Sequence, residues 1–144
     1  MKKLVRTITM VFLGTLLFAT TAFAAEANIP TEQIQSLETQ IISGNIPEIL
    51  YGSSSKGDVV VAVLCSYTGQ WEEGYYGWIN NASFYISGAI VGNIKYETNE
   101  VIPVGHLLIS GSSAYQNYNI GGVSVTISVT MDEWGDASLG MVVN

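Results

Sequence analysis

A chain of 144 residues with twelve acidic and five basic side chains carries a formal net charge of −7. Three of the five cations, Lys2, Lys3 and Arg6, fall within the first six residues, so the rest of the chain is more acidic still. So acidic a surface disfavours nucleic acid and anionic membranes as partners, and suits cations, basic partners or neutral polymers.

The first 24 residues have the pattern of a removable export signal. A basic start, Met1 to Arg6, is followed by an apolar run from Ile8 to Phe18, and Ala22-Phe23-Ala24 forms a small-x-small cleavage site before Ala25. The apolar run is too short to span a bilayer, and no basic stop-transfer cluster follows it. A secreted or extracytoplasmic protein of bacterial style is expected, at the cell surface or in the periplasm, with no membrane association after cleavage. Only Lys56 and Lys95 then remain against twelve acids, a net charge of −10. Cys65 is the single cysteine, so no internal disulfide can form and packing alone must hold the domain.

Residues 25–50 read as a helical segment. Pro30-Thr31-Glu32-Gln33 resembles a helix entry; Ile34, Leu37, Ile41 and Ile42 recur at spacings of three and four, and Gly44 suits a helix end. Asn28-Ile29-Pro30 returns as Asn45-Ile46-Pro47, hinting at a second helical turn through Leu50; as a repeat, two such short copies are better explained by coincidence at two Asn/Pro helix starts. Residues 51–57, Tyr51-Gly52-Ser53-Ser54-Ser55-Lys56-Gly57, read as a flexible connector.

Residues 58–144 read as a β-domain, with 25–144 forming one globular unit. Asp58 to Tyr67 is an unbroken apolar run, expected to be a central strand buried on both faces. From Gln70 to Asn81 aromatic rings alternate with glycines. Strand character returns over Ser83–Ser87, bends at Gly88, and continues through Ala89–Val91 and Asn93–Glu97, with Gly88 and Gly92 marking bulges or a corner. Thr98–Glu100 reads as a turn, and Val101–Ser110 as an edge or bulged strand because of Pro103 and Gly105. Gly111–Asn119 reads as a polar loop carrying Tyr115 and Tyr118. Gly121-Gly122 launches a clean alternation: Val123, Val125, Ile127, Val129 and Met131 on one side, Ser124, Thr126, Ser128 and Thr130 on the other. Asp132–Asp136 is then a hairpin loop, with Ser138–Val143 as the returning strand. The expected fold is mainly β: an antiparallel β-sandwich or small barrel of five or six strands with one N-terminal helix packed on it.

Few groups could carry chemistry. Cys65 and His106 are the only thiol and imidazole, so a Cys/His hydrolase would have to use that pair. A valine-rich strand of an acidic protein suits a core cysteine better than a reactive one. No Gly-x-Ser-x-Gly elbow is present. No catalytic residue, cofactor or structural metal site is therefore assigned. Asp132, Glu133 and Asp136 crowd one loop with calcium-type oxygens, but their spacing is not that of an EF-hand, and a solvated turn explains them. Asn81-Ala82-Ser83 matches a glycosylation sequon, a pattern common by chance. The amphipathic 123–143 hairpin also resembles membrane-inserting hairpins, although a sandwich strand accounts for it without further assumption.

The aromatic segment is the most informative. Trp71, Tyr75, Tyr76 and Trp78 lie within eight residues, and rings on a loop can stack on sugars or anchor a protein partner. Trp71, Glu72, Glu73, Tyr75, Tyr76 and Asn80 are the expected contacts to a glycan or protein ligand. Some rings are expected to close the β-core instead, Trp78 first among them. The alternative is a structural or self-assembling protein that pairs through an exposed edge, either Val101–Ser110 or the C-terminal strand.

Overall fold

The structure, a computed structural model, describes residues 39–144. The export signal, its cleavage before Ala25 and the helix entry at Pro30 lie outside the described residues.

The described chain consists of two antiparallel four-stranded meanders. The first holds β1 (Gln40–Ser54), β2 (Gly57–Trp71), β3 (Trp78–Val91) and β4 (Ile94–Glu97) in that spatial order. A single 3₁₀ turn, Thr98–Glu100, carries the chain to the second, which holds β5 (Val101–Ser110), β6 (Ser113–Ile120), β7 (Val123–Met131) and β8 (Ala137–Val143). The expectation of a mainly antiparallel β fold holds, with eight strands in place of five or six.

Shared cores join the sheets. Val59, Val61, Val63, Ile86 and Val91 of the first pack with Tyr118, Ile120, Val123, Val125 and Ile127 of the second. A further cluster sets Cys65, Trp71 and Ile79 against Ala114, Val129 and Met131. Burying each such aliphatic side chain is worth roughly 1.5–3 kcal/mol, which lets the domain hold without a disulfide.

No helix precedes β2 among the described residues. Ile41, Ile42, Gly44 and Asn45 to Leu50 all belong to strand β1. Ile42, Ile46 and Leu50 lie opposite the buried Gly69, Cys65 and Val61 of β2, so they share its inward face. The helical reading rests on Ile34, Leu37, Ile41 and Ile42 and on the repeated Asn-Ile-Pro. Of these Ile41, Ile42 and Asn45-Ile46-Pro47 are strand, and Ile34, Leu37 and Asn28-Ile29-Pro30 lie outside the described residues. The expected connector 51–57 is not a linker either. Tyr51–Ser54 completes β1, and Ser55-Lys56 forms a two-residue turn closed by the Ser54–Gly57 pair. Gly57 makes that turn possible with φ at 110°.

β2 is central, lying between β1 and β3, but only one of its faces is fully buried. Val59, Val61, Val63 and Cys65 are buried, Val60 and Ala62 are half-buried, and Leu64 and Ser66 are exposed. Its outer face carries an apolar row, Pro47–Leu64–Tyr85, across three strands. In β3 the register slips twice, leaving Ser87 beside Gly88 and Asn80 without a partner on β2, as bulges do.

The supposed polar loop 111–119 is mostly strand β6. Ala114, Gln116, Tyr118 and Ile120 are its inward set, and an amide in that set hid the alternation. Gln116 is buried because β5 bulges there: its Nε2 donates to the carbonyls of Val104, Gly105 and Asn117 at 3.1, 3.3 and 3.2 Å. Pro103 and Gly105 thus mark the irregular edge strand expected of them, with pairing interrupted between Val104 and Leu108. The alternation along β7 is as expected, from Val123 to Met131.

Candidate functional site

The loops of the sandwich collect at two ends. One end gathers the chain entry at Gln40, the β2–β3 loop of residues 72–77, the β5–β6 turn at Gly111-Ser112 and the β7–β8 loop of residues 132–136. Main-chain bonds fasten these pieces: Ile79 N–H donates to Gly111 O at 3.0 Å, and Met131 N–H to Ser112 O at 2.8 Å.

The aromatic segment divides between core and surface. Strand β2 runs on to Trp71, whose ring is only 9% exposed and packs in the core with Ile79 and Met131. Its indole Nε1 donates to Glu133 O at 2.8 Å, joining the two loops. Trp71, expected as a ligand contact, is therefore the anchor beneath the site. Trp78, expected to be the most buried, is half-buried on the outer face opposite Gln70. Tyr75 and Tyr76 are exposed, at 57% and 78%. Glu73 is exposed and Glu72 half-exposed beside them, with Tyr75 N–H turned back onto Glu72 O at 3.0 Å. Asn80 is exposed at the bulge just inside β3.

The partner loop contributes a ring that the sequence reading passed over. Trp134 is 72% exposed at the head of the β7–β8 loop. Asp132 builds this loop: its Oδ1 accepts from Trp134 N–H and Asp136 N–H, both at 2.9 Å. Gly135, with φ at 83°, lies so close to Trp71 that an added Cβ would fall 2.9 Å from the indole. Gly77 likewise passes Met131 and Asp132 O too closely for any side chain. The loops are therefore seated on each other, with Tyr75, Tyr76 and Trp134 outward and Trp71 between. A lone tryptophan flanked by acids and glycine in a hairpin loop was the available signal for Trp134.

The other candidate groups do not assemble around chemistry. Cys65 is fully buried on the inward face of β2, and burial pushes its thiol up to about 11, so it stays protonated at neutral pH. His106 sits on the exposed, bulged stretch of β5. Among the described residues no three His, Cys, Asp or Glu side chains lie close enough to hold a metal ion. The apolar side of the β7–β8 hairpin is used in the sandwich core. Among the described residues no helix is long and apolar enough to cross a membrane. Comparison with protein-family models, curated proteins and solved structures found no match.

Proposed function

We propose that this is an exported, non-catalytic binding domain that engages its ligand through the aromatic tip formed by the β2–β3 and β7–β8 loops. The observation that carries the reading is the exposure of Tyr75, Tyr76 and Trp134 together at one end, above a buried Trp71 that fixes both loops. Rigid rings offer large contact area at small entropic cost, and preorganised loops keep that advantage on binding. Glu72, Glu73 and Asn80 supply acceptors and an amide around the rings, which fits the hydroxyls of a neutral glycan; a protein surface is the other outcome of the test. The experiment is a glycan array and a pull-down with the processed chain, alongside a Tyr75→Ala/Tyr76→Ala/Trp134→Ala variant. Binding by the parent and loss in a variant of unchanged circular dichroism and melting is the expected result. Absence of any ligand for the parent, or binding that survives the triple change, overturns the reading.

The exposed edge of β5, with Ile102, Val104, Leu108 and Ile109 accessible, favours a second reading in which this edge pairs with another chain. Size-exclusion chromatography separates the two, because a strict monomer removes the support for edge-to-edge assembly between copies.

A further inference from the structure

Strand β3 is 14 residues long, whereas β4 is only four and pairs with Gly88–Val91 alone. Beyond that point the chain leaves the first sheet through the Thr98–Glu100 turn and enters the second at Val101. Along Trp78–Ser87, no strand among the described residues pairs with the edge of β3 that faces away from β2. Both ends of this vacancy are closed by specific bonds. Ile79 N–H is taken by Gly111 O, and Ser87 O accepts from the Thr98 hydroxyl at 3.2 Å. Between them Asn80–Ile86 presents an open main-chain edge of seven residues, about 23 Å long at a strand's rise.

A cleft lies alongside. Its walls are Ala82, Phe84 and Ile86 of β3, Val101, Pro103 and Leu107 of β5, and Tyr118 of β6, enclosing about 410 Å³. Tyr85 lines both this cleft and the apolar outer row with Pro47 and Leu64. A strand laid antiparallel against Asn80–Ile86, in line with β4, would send alternate side chains into the cleft and the others toward Tyr85.

Acids outnumber cations around this position. Glu97 and Glu100 stand at the β4 end of the vacancy, while Glu72 and Glu73 precede its other end. The Glu97–Glu100 pair is fixed by a reciprocal capping box across the 3₁₀ turn. Of the two lysines among the described residues, Lys56 is held at Gly121 O and Lys95 lies on β4 two residues from Glu97, just beyond the end of the vacancy; His106 on β5 is the one imidazole near the cleft. Nine acids against two lysines over residues 39–144 also oppose the docking of a second acidic copy.

We propose that the open edge of β3 and its cleft form an acceptor site for an extended, cationic, amphipathic peptide segment of a partner protein, added as a strand in line with β4. Main-chain bonds to Asn80–Ile86 would hold the segment, apolar side chains would fill the cleft, and basic residues would meet the glutamates. This site uses none of the three exposed tip rings, although Glu72, Glu73 and Asn80 border both.

The test uses the processed chain with a nine-residue, end-capped peptide of alternating lysine and isoleucine. Binding is read by fluorescence anisotropy and by amide hydrogen exchange. The expected result is at least tenfold slower exchange over Asn80–Ile86, at least tenfold weaker binding when glutamate replaces lysine, and loss of binding when alternate peptide nitrogens are N-methylated. Pro103→Lys, at an exposed rim position, should weaken binding at least fivefold, and the triple alanine change at the tip should leave it unchanged. The proposal is overturned by absence of binding, by binding indifferent to N-methylation, or by binding lost with the tip rings. It is equally overturned if raising the protein concentration alone protects Asn80–Ile86, since a second copy would then be the occupant.

Discussion

The two ends of the sandwich solve the same problem, reversing a strand, in opposite ways. At one end the turns are minimal: Ser55-Lys56, Gly92-Asn93 and Gly121-Gly122 are two-residue connections. They also interlock, with Gly92 N–H donating to Asp58 O at 2.8 Å and the Lys56 ammonium donating to Gly121 O at 2.7 Å. At the other end, beside the two-residue Gly111-Ser112 turn, two five- to six-residue loops project rings and carboxylates and rest on a single buried indole. At the first end Gly57, Gly92, Gly121 and Gly122 have no room for a side chain, whereas the second holds its frame and leaves its outer residues free. Division of this kind is what a binding scaffold requires, because recognition residues must vary without unfolding what carries them.

Substitutions can break that contrast, beginning with the anchor. Trp71→Ala should cost about 3–5 kcal/mol, as large core truncations do, and should loosen both tip loops together. Urea denaturation measures the cost, and hydrogen exchange over residues 72–77 and 132–136 reports the loosening. At the tight end, Gly92→Ala should cost about 3 kcal/mol: φ is 60° there, and the new Cβ would lie 2.5 Å from Lys56 O, a backbone atom that cannot step aside. Gly74 in the tip loop also has positive φ, at 82°, yet nothing lies within 4 Å of an added Cβ. Gly74→Ala should therefore cost only about 1 kcal/mol, the conformational part alone. Equal costs for the two glycines would refute the distinction between the ends. Smallest of all, a single alanine change at Tyr75, Tyr76 or Trp134 should move stability by no more than about 0.5 kcal/mol, read by the same urea denaturation.

Alkaline pH acts on the core between the ends. Burial pushes the Cys65 thiol up to about 11 and the Tyr118 phenol up to about 12, against 9.0 and 10.0 unperturbed. The unfolded chain ionises first, so the stability from these groups is complete below about pH 9. It falls as pH rises through 9–11 for Cys65 and 10–12 for Tyr118, by at most roughly 3 kcal/mol each. A urea midpoint that is steady from pH 7 to 8.5 and declines steeply above 9 is expected, with Cys65→Ala flattening the lower part of the decline. The native thiol should also resist iodoacetamide at pH 8 and react once the chain is unfolded.

How much of this was legible beforehand depends on how well each residue's pattern separates one structure from another. The strand expected from the β7 alternation and the irregularity expected from Pro103 and Gly105 are both present. Ile42, Ile46 and Leu50 suit a helix face and a strand face alike, and only pairing with β2 decides between them. In β6 the inward Gln116 answers carbonyls freed by a bulge on the neighbouring strand, a need that no local pattern expresses. The tip was found through its ring density, but which rings face outward depends on where β2 ends. Thr68 and Gly69 look like a strand's end, and the strand continues past them to bury Trp71.

The 3₁₀ turn at Thr98–Glu100 has a consequence for how the molecule could be divided. Every strand ladder lies wholly before it or wholly after it, and the meanders meet through side chains apart from the main-chain bond between Ile79 and Gly111. A chain cut at Asn99 keeps each meander contiguous, but leaves both with a bare apolar face. Such halves should be sticky alone and restore the fold when mixed, so that fusing each to one of two interacting proteins would turn this domain into a reporter of their encounter.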